Sequence, residues 1–195
     1  ESFDGNPIPA TAFAQSQMLR LTRFAPTTAT QVELGSGLDD QMTAPTEPTT
    51  LMGLLGNDSL TGNIGDDVLD GGDGNDMLIG ADGADRLLGG VGNDVLMGGT
   101  GGDSLDGGRG DDRAYGGLDN DSLFGGDGYD VLWGDDGDDV IFGGAQNDTP
   151  VGGAGNDALD GGSGNDRLWA GDGDDTLFGG DNNDTLWGET GGDDL

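Results

Sequence analysis

The chain contains no cysteine, no histidine and no lysine. The absence of cysteine excludes disulfides and thiol catalysis, and without either cysteine or histidine the sequence excludes zinc fingers. A catalytic triad built on histidine is excluded for the same reason. No stretch reaches the roughly 18 consecutive apolar residues of a membrane-spanning helix, so the sequence predicts no membrane span.

Basic and apolar residues are also scarce. Six arginines face 39 acidic residues, which gives a formal net charge of -33, and only 32% of the residues are hydrophobic. Nucleic-acid binders carry basic surfaces, so this balance argues against nucleic acid and predicts cations as partners. Glycine (44) and proline (6) make up about a quarter of the 195 residues, a composition typical of disordered chains unless it is periodic.

The glycines are periodic. A nine-residue unit, seen for example at residues 152–160, recurs from residue 53 to residue 187 as 15 complete units without insertion or deletion. A sixteenth unit, 188–195, lacks its ninth residue. Position 6 is aspartate in all sixteen units, position 1 is glycine except at Ala170, and position 8 is leucine except at Ala114, Ile141 and Pro150. A disordered linker has no reason to keep this phase, so the pattern predicts a folded repeat.

The columns of the repeat predict an all-β solenoid. Positions 1–6 hold turn formers, whereas positions 7–9 read as a three-residue strand with position 8 inside and positions 7 and 9 outside. Two strands and two turns close one coil of eighteen residues. Successive coils lie about 4.8 Å apart, so the position-6 aspartates stack into two ladders. The first ladder holds Asp58, Asp76, Asp94, Asp112, Asp130, Asp148, Asp166 and Asp184, and the second holds Asp67, Asp85, Asp103, Asp121, Asp139, Asp157, Asp175 and Asp193.

Such ladders predict a bound cation. Two carboxylates about 5 Å apart repel by about 3 kcal/mol at an effective dielectric of 20. This repulsion is as large as the roughly 1.5–3 kcal/mol by which one buried leucine stabilises the fold. Calcium takes six to eight oxygens in flexible geometry, whereas magnesium demands tight octahedral sites. Eight turns on each face leave seven gaps, so the sequence predicts up to fourteen calcium ions. Their charge of +28 would almost cancel the -29 of residues 53–195.

The unit is similar to the nonapeptide G-G-x-G-x-D-x-U-x of the RTX (repeats-in-toxin) family, over residues 53–195. The resemblance implies a right-handed parallel β-roll with calcium in the turns, in a protein secreted to the exterior or cell surface of a bacterium, commonly by type I secretion. It also implies that each ion binds the carboxylates of two stacked turns, with the carbonyls of positions 2 and 4 of one turn and 1 and 3 of the next. One such site would use Gly90, Gly92 and Asp94 with Gly107, Arg109 (main chain only) and Asp112.

Exceptions within the columns predict where the solenoid deviates. Asp119 and Asn182 replace glycine at position 4 and can adopt a left-handed backbone, which Gln146 adopts less readily. Ala114 and Pro150 replace leucine in the position-8 column with smaller side chains, which reduces the buried apolar area. The coils of residues 107–151 are therefore predicted to be the least stable.

Nearly all aromatic residues of the array stand at the outward position 9. They form a tryptophan row on one face (Tyr115, Trp133, Trp169 and Trp187) and a phenylalanine row on the other (Phe124, Phe142 and Phe178). Stacked rings on one face can stiffen a sheet. Exposed aromatic rows also mark surfaces for self-association or for another domain, and both interpretations stay open.

Residues 1–52 lack the motif and are predicted to form a cap or linker segment or the tail of an upstream domain, with a strand donated to a neighbouring subunit as the alternative. Met18–Phe24 and Gln31–Leu34 are candidate short strands, a helix over residues 12–24 is an alternative, and Pro45–Pro48 is predicted to be a linker. Leu51, Met52, Leu54 and Leu55 are predicted to plug the first coil.

The sequence predicts no enzyme, because its paired carboxylates recur with the repeat and no unique nucleophile or acid stands apart from it. Two functions are consistent with the pattern. The first is a calcium-dependent structural module of a surface layer, adhesin or fibre. The second is the secretion and folding module of an enzyme or toxin whose catalytic domain lies elsewhere.

Overall fold

The computed structural model describes residues 31–195, which form two parallel β-sheets of nine strands each. None of these residues belongs to a helix that could cross a lipid bilayer. The first sheet contains, in spatial order, β1 (Gln31–Leu34), β3 (Thr49–Leu55), β5 (Val68–Asp73), β7 (Arg86–Val91), β9 (Ser104–Arg109), β11 (Ser122–Asp127), β13 (Val140–Ala145), β15 (Ala158–Ser163) and β17 (Thr176–Phe178). The second contains β2 (Gln41–Thr43), β4 (Ser59–Ile64), β6 (Met77–Asp82), β8 (Val95–Thr100), β10 (Arg113–Leu118), β12 (Val131–Asp136), β14 (Thr149–Ala154), β16 (Arg167–Asp172) and β18 (Thr185–Thr190).

The two sheets are the two faces of a solenoid with eighteen residues in each coil. Ser59 pairs with Met77, and Ser122 pairs with Val140, so each strand lies beside the strand of the same sheet in the next coil. This register confirms the predicted parallel β-roll. It also confirms that successive units alternate between the two faces.

Position 8 forms the core, as predicted. Its leucines from Leu60 to Leu168 are almost completely buried, and so are the replacements Ala114, Ile141 and Pro150. One row of side chains from each sheet meets in the interior. The core is therefore only two side chains thick, which leaves little apolar area to stabilise the fold.

The strands are longer than the predicted three residues. Most run from position 7 of one unit to position 3 of the next, as in the six residues of β4. The sheet register continues through the glycines, with Gly72 paired to Gly90. Position 2 has a positive φ, for example 102° at Gly72, so the strand bends after position 1 without losing its pairing. The left-handed backbone predicted at position 4 is confirmed for Asp119 and Asn182, with φ of 76° and 89°. Gln146 adopts it too, with φ of 84°, although glutamine is predicted to do so less readily.

The coiled register extends ahead of residue 53. Strand β1 pairs with β3 and β2 pairs with β4, both with the eighteen-residue offset. The predicted strand Gln31–Leu34 is confirmed as β1. Pro45–Pro48, predicted to be a linker, lies in the turn between β2 and β3, where the Pro48 carbonyl accepts a hydrogen bond from the Gln31 N–H. The predictions for residues 12–24 lie outside the described residues, and the boundary of the motif at residue 53 stays a prediction.

Only part of the predicted apolar plug is buried. Leu51 is fully buried at position 8, whereas Leu54 and Leu55 are 42% and 52% exposed. The prediction is wrong for these two leucines because they occupy positions 2 and 3, where the backbone turns outward, as the φ of 85° at Leu54 shows.

Position 5 carries a row of hydrogen bonds that the sequence analysis did not predict. The Asn57 side-chain Oδ1 accepts from the Asn75 N–H of the next coil, and Asn75 Oδ1 accepts from the Asn93 N–H, both at 2.8 Å. Similar bonds link the exposed asparagines and aspartates of later coils, such as Asn147 to the Asn165 N–H at 2.7 Å. Tyr129 interrupts the row because its side chain has no acceptor at this position.

We expect Tyr129→Asn to stabilise the solenoid, because the new amide oxygen would accept from the Asn147 N–H. A net hydrogen bond is worth roughly 0.5–1.5 kcal/mol, and this is the expected gain in the free energy of unfolding measured with urea in calcium. Tyr129→Ala is the matched control, since it removes the ring without supplying an acceptor. Equal stability of the two variants would contradict the expectation.

Candidate metal centre

Each of the two predicted aspartate ladders lies on one edge of the solenoid, inside the turns. Fourteen rungs, from Asp58 to Asp175, are at most 3% exposed. The backbone N–H of each aspartate donates to Oδ1 of the aspartate eighteen residues later, as from Asp94 to Asp112 at 2.7 Å. These bonds fix every carboxylate in the same orientation, with Oδ2 on the inner side of the turn.

Oδ2 is the oxygen that the fold leaves unsatisfied. Within residues 31–195, the Oδ2 atoms of these fourteen aspartates are buried without a hydrogen-bond partner. Burial raises the pKa of the carboxyls, to about 6 at Asp94, about 7 at Asp112 and about 8 at Asp148. The neighbouring aspartates of the ladder raise the pKa further, and the backbone hydrogen bonds act in the opposite direction. Each turn thus holds an oxygen that requires a proton or a cation.

A small space lies beside each Oδ2, and we call it the cradle. A methyl carbon added to Gly89 would lie 2.5 Å from Asp94 Oδ2 and 2.5 Å from the Gly107 carbonyl oxygen. The corresponding distances at Gly161 are 2.6 Å to Asp166 Oδ2 and 2.6 Å to the Gly179 carbonyl. Gly89 and Gly161 do not have positive φ, so the backbone does not require glycine there. Glycine is needed at position 1 because a Cβ would fill the cradle.

The cradle suits calcium. Calcium binds oxygens at 2.3–2.6 Å and accepts backbone carbonyls beside carboxylates, and the cradle offers one of each at this distance. No three acidic side chains converge on one point anywhere in residues 31–195. Each site must therefore combine a few carboxylate oxygens with main-chain carbonyls, as the sequence analysis predicts.

The predicted carbonyl ligands of one site, between the turns of Asp94 and Asp112, differ in where they point and in their hydrogen bonds. Gly107 directs its carbonyl oxygen into the cradle beside Gly89. The Arg109 carbonyl accepts a hydrogen bond from the Gly92 N–H at 2.7 Å, which leaves it one further lone pair. Gly90 and Gly92 have φ of 109° and 138°, the left-handed turn in which only glycine is unstrained. The roles of Gly90, Gly92 and Arg109 as ligands stay predictions.

The comparison with known families agrees with this geometry. The family model described as the RTX calcium-binding nonapeptide repeat matches residues 49–78, 79–114, 115–150, 151–186 and 160–195. The chain belongs to the RTX calcium-binding repeat family. This RTX array is accordingly a calcium-binding β-roll module, of a structural rather than a catalytic family. No curated protein matches the chain.

The RTX array has a further turn that the sequence analysis missed. Residues 35–43 are in phase with the motif, with Gly35 at position 1 and Asp40 at position 6. The Asp40 N–H donates to Asp58 Oδ1 at 2.7 Å, so Asp40 is a rung of the first ladder. Its Oδ2, however, accepts from the N–H and the hydroxyl of Ser36 at 2.6 and 2.8 Å. This turn satisfies its carboxylate within the protein.

We expect Gly89→Ala to remove one calcium site. The methyl group would occupy the cradle, which costs about 1–3 kcal/mol through overpacking. Loss of one ion costs about 2.7 kcal/mol more at a calcium concentration 100 times its dissociation constant. Urea unfolding in calcium measures the combined effect. Gly37→Ala is the control, because a Cβ there meets only the Leu55 side chain at 3.7 Å; an equal loss in both variants would contradict the cradle.

The aromatic rows lie on the outer faces as predicted. In the tryptophan row, Tyr115 stacks on Trp133 with ring centroids 4.6 Å apart, and Trp169 stacks on Trp187 at 4.4 Å. The phenylalanine row contains one stacked pair, Phe124 and Phe142, at 5.3 Å. The rings thus contact their neighbours in the next coil, and Trp187, Phe124 and Phe142 are still 39–40% exposed.

Proposed function

We propose that this RTX array is an extracellular structural module that folds on binding calcium, and that it forms part of a surface layer, adhesin or fibre of a bacterium. The observation that carries the proposal is the pair of ladders with fourteen buried and unsatisfied Oδ2 atoms. A fold that buries these oxygens beside a core only two side chains thick needs a counter-ion. Calcium is abundant outside cells, so folding would accompany export.

The ions we propose lie in the gaps between stacked turns, up to about fourteen in number. Their ligands are the two ladders, together with carbonyl oxygens such as those of Gly90, Gly92, Gly107 and Arg109. Calorimetric titration with calcium, and separately with magnesium, tests this assignment. We expect many equivalents of calcium to bind with a large change in heat, and magnesium to produce neither.

The exposed aromatic rows favour assembly over a solitary module. On the second sheet, Ile79 and Met97 extend the tryptophan row ahead of Tyr115, and Val151 lies between Trp133 and Trp169. The outer position 9 of this sheet is therefore apolar over seven successive coils. Apolar surface of this extent is typical of protein contacts. We propose that the row contacts a second copy of the chain or a neighbouring domain of the same assembly.

The expected result is that calcium increases the molar mass of the particle in solution and that replacing Trp133, Trp169 and Trp187 by serine abolishes the increase. Sedimentation equilibrium in calcium and in chelator measures the molar mass independently of how compact the chain is. Replacement of Phe124, Phe142 and Phe178 by serine is the matched control on the other sheet. Unchanged association in the tryptophan variant would contradict the role of this row, and a monomer in calcium would support the second function below.

The second candidate is the secretion and folding module of a type I-secreted enzyme or toxin. It is supported by the same calcium ladders, which would keep the module unfolded in calcium-poor cytoplasm and fold it outside. We propose no catalytic activity for the array itself. Its paired carboxylates are used structurally: Asp139 belongs to a ladder, and Asp138 accepts a hydrogen bond from the Asn156 N–H at 2.8 Å.

A further inference from the structure

The cradles of the two ladders are not all alike. Within the sixteen units of residues 53–195, thirteen of them have glycine at position 1, flanked by the Oδ2 of their own turn and a carbonyl oxygen of the next coil. These glycines are Gly53, Gly62, Gly71, Gly80, Gly89, Gly98, Gly107, Gly116, Gly125, Gly134, Gly143, Gly152 and Gly161. The fourteenth gap, between the turns of Asp175 and Asp193, has Ala170 at position 1.

Ala170 carries the methyl group that the other cradles exclude. It is fully buried, and its Cβ points into the interior from the same register as Gly152 and Gly188. At Gly161, the equivalent methyl position lies 2.6 Å from both flanking oxygens, which is a calcium–oxygen distance rather than a carbon–oxygen contact. A methyl carbon and a cation cannot share this space.

A second turn of the same chain shows what accompanies alanine at position 1. Ala44 is 2% exposed and occupies position 1 of the turn that precedes Asp67. Position 6 of that turn is Thr49, whose N–H donates to Asp67 Oδ1 at 2.6 Å as an aspartate would. The Thr49 hydroxyl donates to the Glu47 carbonyl at 2.7 Å. Where alanine fills this cradle, the turn has threonine in place of a carboxylate and needs no ion. The turn of Ala170 differs, because it keeps Asp175, whose buried Oδ2 has no hydrogen-bond partner and must bind a proton where no ion binds.

We propose that the gap beside Ala170 is a defective calcium position, so that the second ladder loses its ion between Asp175 and Asp193. The inference rests on calcium binding by the other cradles. It also gives the stacked rings of Trp169 and Trp187 a specific role. These residues precede Ala170 and Gly188 and stack with centroids 4.4 Å apart, so the stack joins strands β16 and β18 near the end at which the second ladder has no ion.

Native mass spectrometry of the calcium-loaded chain counts the ions and tests the proposal. We expect Ala170→Gly to carry one calcium more than the wild type, and Gly161→Ala to carry one fewer. Ala170→Gly restores the residue found at position 1 of the other fifteen units, so it introduces no new clash. An equal count in the wild type and Ala170→Gly would overturn the inference. A wild type that carries no calcium would instead overturn the proposed function.

A second measurement tests the role of the stack. We expect Trp187→Ser to lower the urea midpoint in calcium more strongly in the wild-type background than in Ala170→Gly, because the restored ion would hold the two coils together. Trp133→Ser, on the stack at a glycine cradle, is the control and should have the same effect in both backgrounds. Equal effects of Trp187→Ser in the two backgrounds would show that the stack does not replace an ion.

Discussion

Removing calcium is expected to unfold residues 53–195 as a whole. Without a cation, every turn must either protonate its buried carboxyl or keep charges about 5 Å apart that repel by about 3 kcal/mol each. Circular dichroism should therefore lose its β-sheet signal in excess chelator. Small-angle scattering of the whole chain should show a radius of gyration approaching the roughly 47 Å of 195 unfolded residues.

Re-addition of ions provides the control. Calcium should restore the β-sheet signal, whereas magnesium at the same concentration should not, because magnesium requires octahedral geometry and dehydrates reluctantly. The transition should be cooperative, since each ion orders two turns and each turn contributes to two gaps. A β-sheet signal that persists in chelator at neutral pH would refute calcium-dependent folding.

The second large effect concerns Asp148, where asparagine should have opposite consequences with and without calcium. Burial, reinforced by Asp130 and Asp166, raises the pKa of the Asp148 carboxyl from 3.8 to about 8. In the metal-free fold this carboxyl must bind a proton at neutral pH, at a cost on the order of 4 kcal/mol for a shift of this size. Asparagine removes that cost and keeps an oxygen to accept from the Asp130 N–H, a bond of 2.9 Å in the wild type.

The pH dependence of the metal-free stability follows from proton linkage. Because the pKa is raised in the fold, the metal-free wild type is favoured below about pH 4 and becomes progressively less stable as the pH rises toward 8. Asp148→Asn should therefore fold more readily than the wild type in chelator at pH 7, with no advantage at pH 4. In calcium the order reverses, since Asp148 contributes to two gaps and the loss of even one ion costs about 2.7 kcal/mol at 100 times its dissociation constant.

Folding induced by an osmolyte in chelator measures the first effect, and urea unfolding in calcium measures the second. Asp138→Asn is the matched control, because Asp138 is exposed and an amide oxygen can still accept from the Asn156 N–H. Asp138→Asn should change the free energy of unfolding by only a few tenths of a kcal/mol, both in calcium and in chelator. A variant of Asp148 that destabilises the chain equally in calcium and in chelator would contradict a metal-binding role.

Much of this fold was predictable because a strict period converts sequence position into spatial position. The eighteen-residue register, the interior leucine column and the buried ladders all follow from columns that keep their phase for sixteen units. Two exceptions were also predictable, since Asp119 and Asn182 adopt the left-handed backbone that position 4 requires. Gln146 adopts it as well, which its residue type does not favour.

The features that the sequence did not predict are those that the residue types at the nine repeat positions do not specify. The turn of Gly35 and Asp40 was missed because the unit that follows it has Ala44 and Thr49 in place of glycine and aspartate, which breaks the visible frame. The six-residue strands were missed because glycines at positions 1–3 look like turn residues, although their N–H and carbonyl groups continue the sheet. The hydrogen bonds of the position-5 asparagines were not predicted because they depend on side-chain orientation, which residue type alone does not specify.

The eighteen-residue register also constrains how such a gene can change in length. The strand register pairs residue n with residue n+18, so duplicating or deleting two units leaves each outer row on its own sheet. A change of one unit would move all later rows to the opposite sheet and would place Trp133 among the phenylalanines. Recombination between neighbouring repeats would therefore preserve the tryptophan row only when it adds or removes an even number of units. An odd number would split the row between the two sheets.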